Sequence, residues 1–294
     1  MRVAKVKSVM IGLALLGLAA CDKLGAPGGN ASGSAAATDP DGGKKLDDYI
    51  GAYNDLLGTW GLQDKAKDYR DSDIPNGAPG GEFRVSPGWI GKALDKLRAA
   101  RAMPGGSPGM DTAADALLAS AGKVEAHLAS LQTYYDGKKY LDDKFARGKA
   151  ENGPMLAEID AAEKDLAALG KLLDAAIEQR DVVLLDKLKS ADPLAYDIKL
   201  ALIHSKKLLN LFNGQEQPAK PELIAKGDTE VAIIEDAILD GKKEAGKQGK
   251  ETPRALNMLN SMLGYYREFK QDHDPSHLDT VLTYYNGAVE DANH

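Results

Sequence analysis

The stretch Lys44-Lys45-Leu46-Asp47-Asp48-Tyr49-Ile50-Gly51-Ala52-Tyr53-Asn54-Asp55-Leu56-Leu57-Gly58-Thr59-Trp60 decides the fold class. Its large apolar residues, Leu46, Tyr49, Ile50, Tyr53, Leu56, Leu57 and Trp60, recur at steps of three and four. That spacing places them on one face of an α-helix and leaves the charges on the other. A strand would need alternation at every second residue, which this stretch does not have.

The same periodicity continues downstream. Ser86-Pro87 reads as a cap and first-turn proline ahead of Trp89, Ile90, Ala93, Leu94 and Leu97. A third helix from near Asp111 carries Leu117, Leu118, Ala121, Val124, Leu128 and Leu131 to Tyr134 and Tyr135. A long run after Pro154 holds Ile159, Leu166, Leu169, Leu173, Ile177, Leu184 and Leu188, and Asp192-Pro193 then stops or re-aims the chain. Further stripes are Ile198 to Phe212, Ile224 to Ile238, Leu256 to Tyr266 after Thr252-Pro253, and Val281 to Val289 after a Ser276 cap. Gly/Pro-rich breaks at 72–88, 103–110 and 214–221 read as loops between helices. The expectation is an all-α, multi-helix bundle of about seven to nine helices forming a single domain over 44–294, with 192–193 as the alternative boundary.

Upstream of the first stripe the chemistry changes. Residues 22–43 are dominated by Gly, Ala, Ser and Pro, with no large apolar residue after Leu24, so they cannot bury enough surface to offset ordering entropy. They read as a disordered, flexible tether with a reach of roughly 25 Å. Before it lie Arg2, Lys5 and Lys7, an apolar run from about Val9 to Leu18, and small residues. These are the three parts of a signal peptide over 1–20, too short to span a bilayer. The signal ends Leu18-Ala19-Ala20-Cys21, and Cys21 is the only cysteine in the chain. An ordinary signal needs no cysteine at the cut. The pattern resembles a bacterial lipobox, which implies cleavage before Cys21, a diacylglycerol on its thiol and a further acyl chain, such as palmitate, on its amine. Three chains would anchor stably, because each buried methylene contributes about 0.8 kcal/mol and two chains already suffice. The expected setting is the cell envelope, lipid-anchored to the inner or outer membrane and facing the periplasm. Asp22 resembles an inner-membrane retention residue, but Lys23 is not its strongest companion, so both membranes stay open.

Removal of residues 1–20, with three positive charges and no negative ones, takes the formal charge from −7 to −10. Nucleic-acid binding needs a concentrated basic footprint, and no Lys/Arg block here supplies one. With Cys21 consumed, no disulfide can form within the chain, so the body must rest on its core, for which about 250 residues is ample.

Several patterns invite a catalytic reading. Gly105-Gly106-Ser107-Pro108-Gly109 matches G-x-S-x-G, but a nucleophile elbow needs a strand before it and a backbone N–H after the serine, where Pro108 has none. Gly241 to Gln248 nearly spells a phosphate-binding loop, yet Gln248 replaces the Ser or Thr that would hold magnesium, and the preceding residues read as helix. His273 and His277, with Asp272, Asp274 and Asp279, carry metal-ligating chemistry, but Pro275 interrupts the turn that would align the histidines. Asp47-Asp48 and Asp142-Asp143 would point about 100° apart on a helix and would not converge on one substrate. No catalytic residue, metal or cofactor is assigned.

Tyrosine is the abundant aromatic, 11 of 17, and occurs three times as Tyr-Tyr. A tyrosine can bury its ring while its hydroxyl reaches a polar partner. Tyr134, Tyr135, Tyr140 and Tyr265 are therefore the ligand-binding candidates, as a groove stacking on a glycan or peptide; the alternative is aromatic packing at helix ends.

Three segments carry a family resemblance: Asp48 to Leu57; Tyr134-Tyr135 with Tyr140 to Gly148; and Tyr284-Tyr285-Asn286-Gly287-Ala288-Val289-Glu290-Asp291-Ala292-Asn293. They resemble the YiiG-like bacterial lipoproteins, a helical family with a lipobox and a shared domain of no established function. The resemblance implies no catalytic residue. The reading is a membrane-anchored, non-enzymatic interaction or structural module with an envelope protein as partner. The alternative is a periplasmic ligand-binding protein; third is a metal-dependent hydrolase similar to the imelysin-like lipoproteins. The last group's Gly-x-His-x-x-Glu pattern is absent around His127, where Glu125 and Ser130 replace the glycine and glutamate.

Overall fold

The computed structural model describes residues 43–76, 81, 83–212 and 219–293. The stretches read as signal peptide and tether, with Cys21 between them, lie outside the described residues up to residue 42. Among the described residues there are helices and no strand. The helices are α1 (Gly43–Leu57), α2 (Leu62–Asp71), α3 (Ile90–Ala102), α4 (Pro108–Asp136), α5 (Ala146–Ala191), α6 (Pro193–Phe212), α7 (Pro221–Lys247), α8 (Arg254–Asp272) and α9 (Pro275–Ala292). Short 3₁₀ turns occur at Ile74–Asn76 and Lys139–Leu141. None of these helices is long and apolar enough to cross a membrane. The described residues form two compact units that divide between Ile177 and Glu178, inside α5, rather than at Asp192-Pro193.

In the unit over 43–177, α1 packs chiefly on α3 and α3 on α4. The buried positions of α3, Ile90, Ala93, Leu94, Leu97 and Ala100, form one helical face. As far as Leu131, the buried residues of α4 are Met110, Ala114, Leu117, Ala121, Val124, Leu128 and Leu131, alternating steps of four and three. Buried positions of α5 do the same at Met155, Ile159, Ala162, Leu166, Leu169 and Leu173. A sustained 3.5-residue repeat of this kind gives each of the two helices one continuous apolar seam. His127 of α4 reaches Glu158 of α5 at 2.9 Å.

In the unit over 178–293, α6 packs on α7, α7 on α8, α8 on α9, and α9 back on α6. This is an up-and-down four-helix bundle. Its core includes Leu202, Leu209, Phe212, Ile234, Ile238, Leu256, Leu259, Leu263, Tyr266, Phe269, Val281 and Tyr285. The tail of α5 contributes Asp181, whose carboxylate lies 2.7 Å from the Lys199 ammonium, a side chain only 3% exposed.

The helices depart from the sequence reading in particular places. α1 stops at Leu57, and Trp60 stands beyond it with φ 68°. α3 begins at Ile90, so Trp89 is its N-cap and Pro87 precedes the helix. α5 begins at Ala146 and runs through Pro154, which the pattern takes for a helix start. Asp274, not Ser276, caps α9, its carboxylate accepting from the Ser276 N–H. α2, over Leu62–Asp71, is a helix to which the sequence pattern assigns no stripe. Asp192-Pro193 does re-aim the chain: Asp192 caps α6 by accepting from the Ala195 N–H at 3.1 Å, and Pro193 is the first helical residue.

Candidate functional site

Three of the four tyrosines singled out by sequence come together at the end of α4. The connection to α5 is bent by Lys138, Lys144 and Phe145, all at positive φ. It folds Tyr140 and Phe145 back onto the α4 terminus. Tyr134 and Tyr135 meet edge-on at 4.9 Å, Tyr140 and Phe145 stack at 4.7 Å, and Phe83 lies 5.1 to 5.4 Å from Tyr135, Tyr140 and Phe145. Tyr134 is 3% exposed, and Tyr135 and Tyr140 are 4% exposed. The rings therefore spend their faces on one another rather than opening a groove to solvent. The Tyr134 hydroxyl donates to Asp143 at 2.8 Å; burial first, and that carboxylate second, push its phenol above the usual range. Asp143 also accepts from the Arg147 N–H at 3.1 Å, so one member of the Asp142-Asp143 pair caps the start of α5. The Tyr69 and Tyr135 hydroxyls are buried without a protein partner among the described residues.

Tyr265 lies in the other unit, half-buried on α8, stacked on Tyr284 at 5.5 Å and 6.4 Å from the His277 ring. An open surface cleft between α4 and α5 is lined by Ser120, Lys123, Ala157, Glu158 and Ala161, and includes none of the four tyrosines.

The patterns that invite catalysis have structural occupations. In the G-x-S-x-G loop the Gly105 carbonyl accepts from the Lys45 ammonium at 2.9 Å, and a Cβ on Gly106 would stand 3.0 Å from the Lys45 stem. Pro108 opens α4. Lys45, 2% exposed, is held further by Asp111 at 2.8 Å, which also accepts from the Tyr49 hydroxyl at 2.7 Å and lies 3.3 Å from Arg101. Partial burial works to raise the Asp111 carboxyl, but these hydrogen bonds and cations hold it below its ordinary range. The loop is thus the seat of a partly buried ionic network joining α1, α3 and α4. The near-phosphate-loop segment lies almost entirely on α7, where Gly241 packs against Leu256 of α8.

Each of three histidines bridges neighbouring helices. His127 has Glu158 at 2.9 Å and Glu151 at 3.3 Å; His204 has Glu230 at 2.6 Å; His277 has Asp272 at 3.0 Å and Glu268 at 3.3 Å. His273 instead ends α8 in a left-handed conformation. Among the described residues no group of three or more His, Cys, Asp or Glu could hold a metal ion.

What the sequence reading misses is the pair Trp60 and Trp89. Read as core members of two stripes, they are 48% and 55% exposed, with ring centroids 6.3 Å apart. The available signal was the turn chemistry around them, Gly58 and Gly61 on one side and Pro87-Gly88 on the other.

No curated protein and no solved structure matches the chain. A family model does match, over residues 42–271, from just before α1 to the last turn of α8. The chain belongs to the family described as "Protein of unknown function (DUF3829)".

Proposed function

We propose that this is a YiiG-like envelope lipoprotein, anchored through lipid on Cys21 to the inner or outer membrane and facing the periplasm. Its helical body acts as a non-enzymatic interaction or structural module. The observation that carries this reading is Leu18-Ala19-Ala20-Cys21, with the chain's single cysteine at the end of a cationic and apolar leader. Two features of the body support it. The G-x-S-x-G loop is engaged in seating Lys45, and the paired tyrosines of α4 are engaged with one another.

Mass spectrometry of the mature N-terminal peptide tests the anchor. We expect Cys21 at the N-terminus, carrying a diacylglyceryl thioether and an N-acyl chain, and release of the protein from membranes in Cys21→Ser. An unmodified Cys21 overturns the reading. Crosslinking in intact cells then identifies the envelope protein that the module touches.

A further inference from the structure

Trp60 and Trp89 are the only tryptophans in the chain, and both are exposed and in contact with each other. Their position is built rather than incidental. Trp60 has φ 68°, a left-handed conformation that a bulky residue rarely adopts and that costs of order 1–3 kcal/mol. Four contacts lock it there. The Asp64 carboxylate accepts from the Trp60 N–H at 3.0 Å, and the Trp60 carbonyl accepts from the Trp89 N–H at 2.8 Å. Gly61 presses on the carbonyls of Asp55 and Leu56 where no Cβ fits, and Gly88, at φ 55°, leaves only 2.5 Å between a notional Cβ and the Trp60 carbonyl.

The Trp60 ring is also backed. The Lys65 ammonium, on a side chain 5% exposed, lies 4.4 Å from the Trp60 ring centroid, and its stem packs beneath Gly88. Lys92 stands 5.3 Å from the centroid of Trp89. A buried cation under an aromatic face fixes that ring and leaves its outer face to solvent.

The size and charge of this platform select its occupant. Taking about 250 Å² for a tryptophan side chain, the two exposures leave about 250 Å² of aromatic surface. A stable protein interface needs about 800 Å² per partner, so the platform fits a small or chain-like ligand instead. Lys65 is matched by Asp64 at 3.1 Å and by Asp68, and the chain as a whole is acidic, which leaves little attraction for phosphate polymers or anionic lipid. A bilayer interface also requires no fixed ring geometry. A neutral sugar does: the C–H face of a pyranose ring stacks on an indole, and two tilted indoles side by side accept successive rings, with exposed Thr59 and Lys92 nearby to meet hydroxyls.

We infer that the Trp60–Trp89 platform is a binding site for a neutral, pyranose-containing oligosaccharide. The inference rests on the envelope reading for its choice of setting, but it is tested in solution and so stands or falls apart from the lipid on Cys21. Because no other tryptophan exists, intrinsic indole emission of the full-length chain reports this site alone. Titration with soluble N-acetylglucosamine oligomers and glucose oligomers is expected to shift that emission saturably for at least one series. Trp89→Ala should weaken binding at least tenfold, and Trp89→Phe should restore part of it, with unchanged circular dichroism in both. No response to either series overturns the proposal. So does a response that Trp89→Ala leaves intact, or one seen only with phosphatidylglycerol vesicles.

Discussion

Asp111 and Asp197 are both shielded carboxylates, and their surroundings drive them in opposite directions. Asp111 is held below its ordinary range by Lys45, Tyr49 and Arg101 against the pull of burial. Asp197 is pushed up to about 6 by burial and by the neighbouring charges of Asp240 and Glu244. The signs of their pH dependence therefore differ. The Asp111 contribution is present above an unfolded value of about 3.9 and is lost as pH falls through the lower folded value. The Asp197 carboxyl binds its proton more tightly in the folded state, so stability declines as pH rises from about 4 to about 6. Asp111→Asn should cost about 3 kcal/mol at pH 7, because it strands a buried ammonium, and its deficit should shrink below about pH 4. Asp197→Asn should gain about 1–2 kcal/mol at pH 7, and that gain should vanish below about pH 4. Urea unfolding at pH 7, 5 and 3 checks both; parallel pH profiles for the two variants would contradict the assignment. None of this was legible beforehand, since Lys45 and Asp111 are 66 residues apart and neither lies in a motif. Trp60 and Trp89 were misread because an apolar residue in register with a stripe is ordinarily core, and only the backbone turn at Gly61 and Gly88 lifts them out.

At the scale of elements, the long repeats were legible and the short polar helix was not. The buried positions of α4 and α5 step by four and three over several turns, which periodicity detects directly. α2 reads Leu-Gln-Asp-Lys-Ala-Lys-Asp-Tyr-Arg-Asp, and its buried face is Leu62, Lys65, Ala66 and Tyr69. One quarter of that face is a lysine, whose aliphatic stem supplies the packing that a hydrophobicity pattern cannot see. The helix is then fastened outward by Arg70, which reaches Asp160 at 2.8 Å and Glu163 at 2.7 Å on α5. Glycines within helices divide in the same way. Gly227 of α7 faces the Tyr266 hydroxyl so closely that no Cβ fits, and that ring is fully buried, while Gly264 of α8 has open space around the same position. Alanine gains about 1 kcal/mol over glycine in a helix interior, but forcing a packed core apart costs about 1–3 kcal/mol. Gly264→Ala should therefore raise stability by about 0.5–1 kcal/mol and Gly227→Ala should lower it by about 1–2 kcal/mol. Equal shifts in the thermal midpoints of the two variants would show that α7 does not pack on Tyr266 as described.

For the whole molecule, the sequence pattern reads one helical domain from 44 onward because apolar stripes recur without any change of composition at 177. The described residues nonetheless group into two compact units that divide there. The unit from Glu178 has four helices in a ring, α6 to α9, and α9 supplies Leu278, Val281, Tyr285, Ala288 and Val289 to its core although the family match ends at 271. Such a unit, well above the roughly 60 residues at which burial becomes marginal, should fold alone. Expressed as residues 178–294, it should retain helical circular dichroism and unfold in urea in one cooperative transition; a broad, gradual loss of signal would refute its independence. The tail of α5 is what makes the starting point matter. Lys199 is buried and depends on Asp181, and burial pushes its ammonium below the usual range even with that partner in place. A fragment beginning at Pro193 keeps all four bundle helices but removes Asp181, leaving a buried cation without its counter-charge. That fragment should be about 3 kcal/mol less stable than 178–294, and Lys199→Met within it should recover most of the loss. If the two fragments unfold at the same urea concentration, the Asp181–Lys199 pair contributes nothing to the bundle and the unit begins at α6.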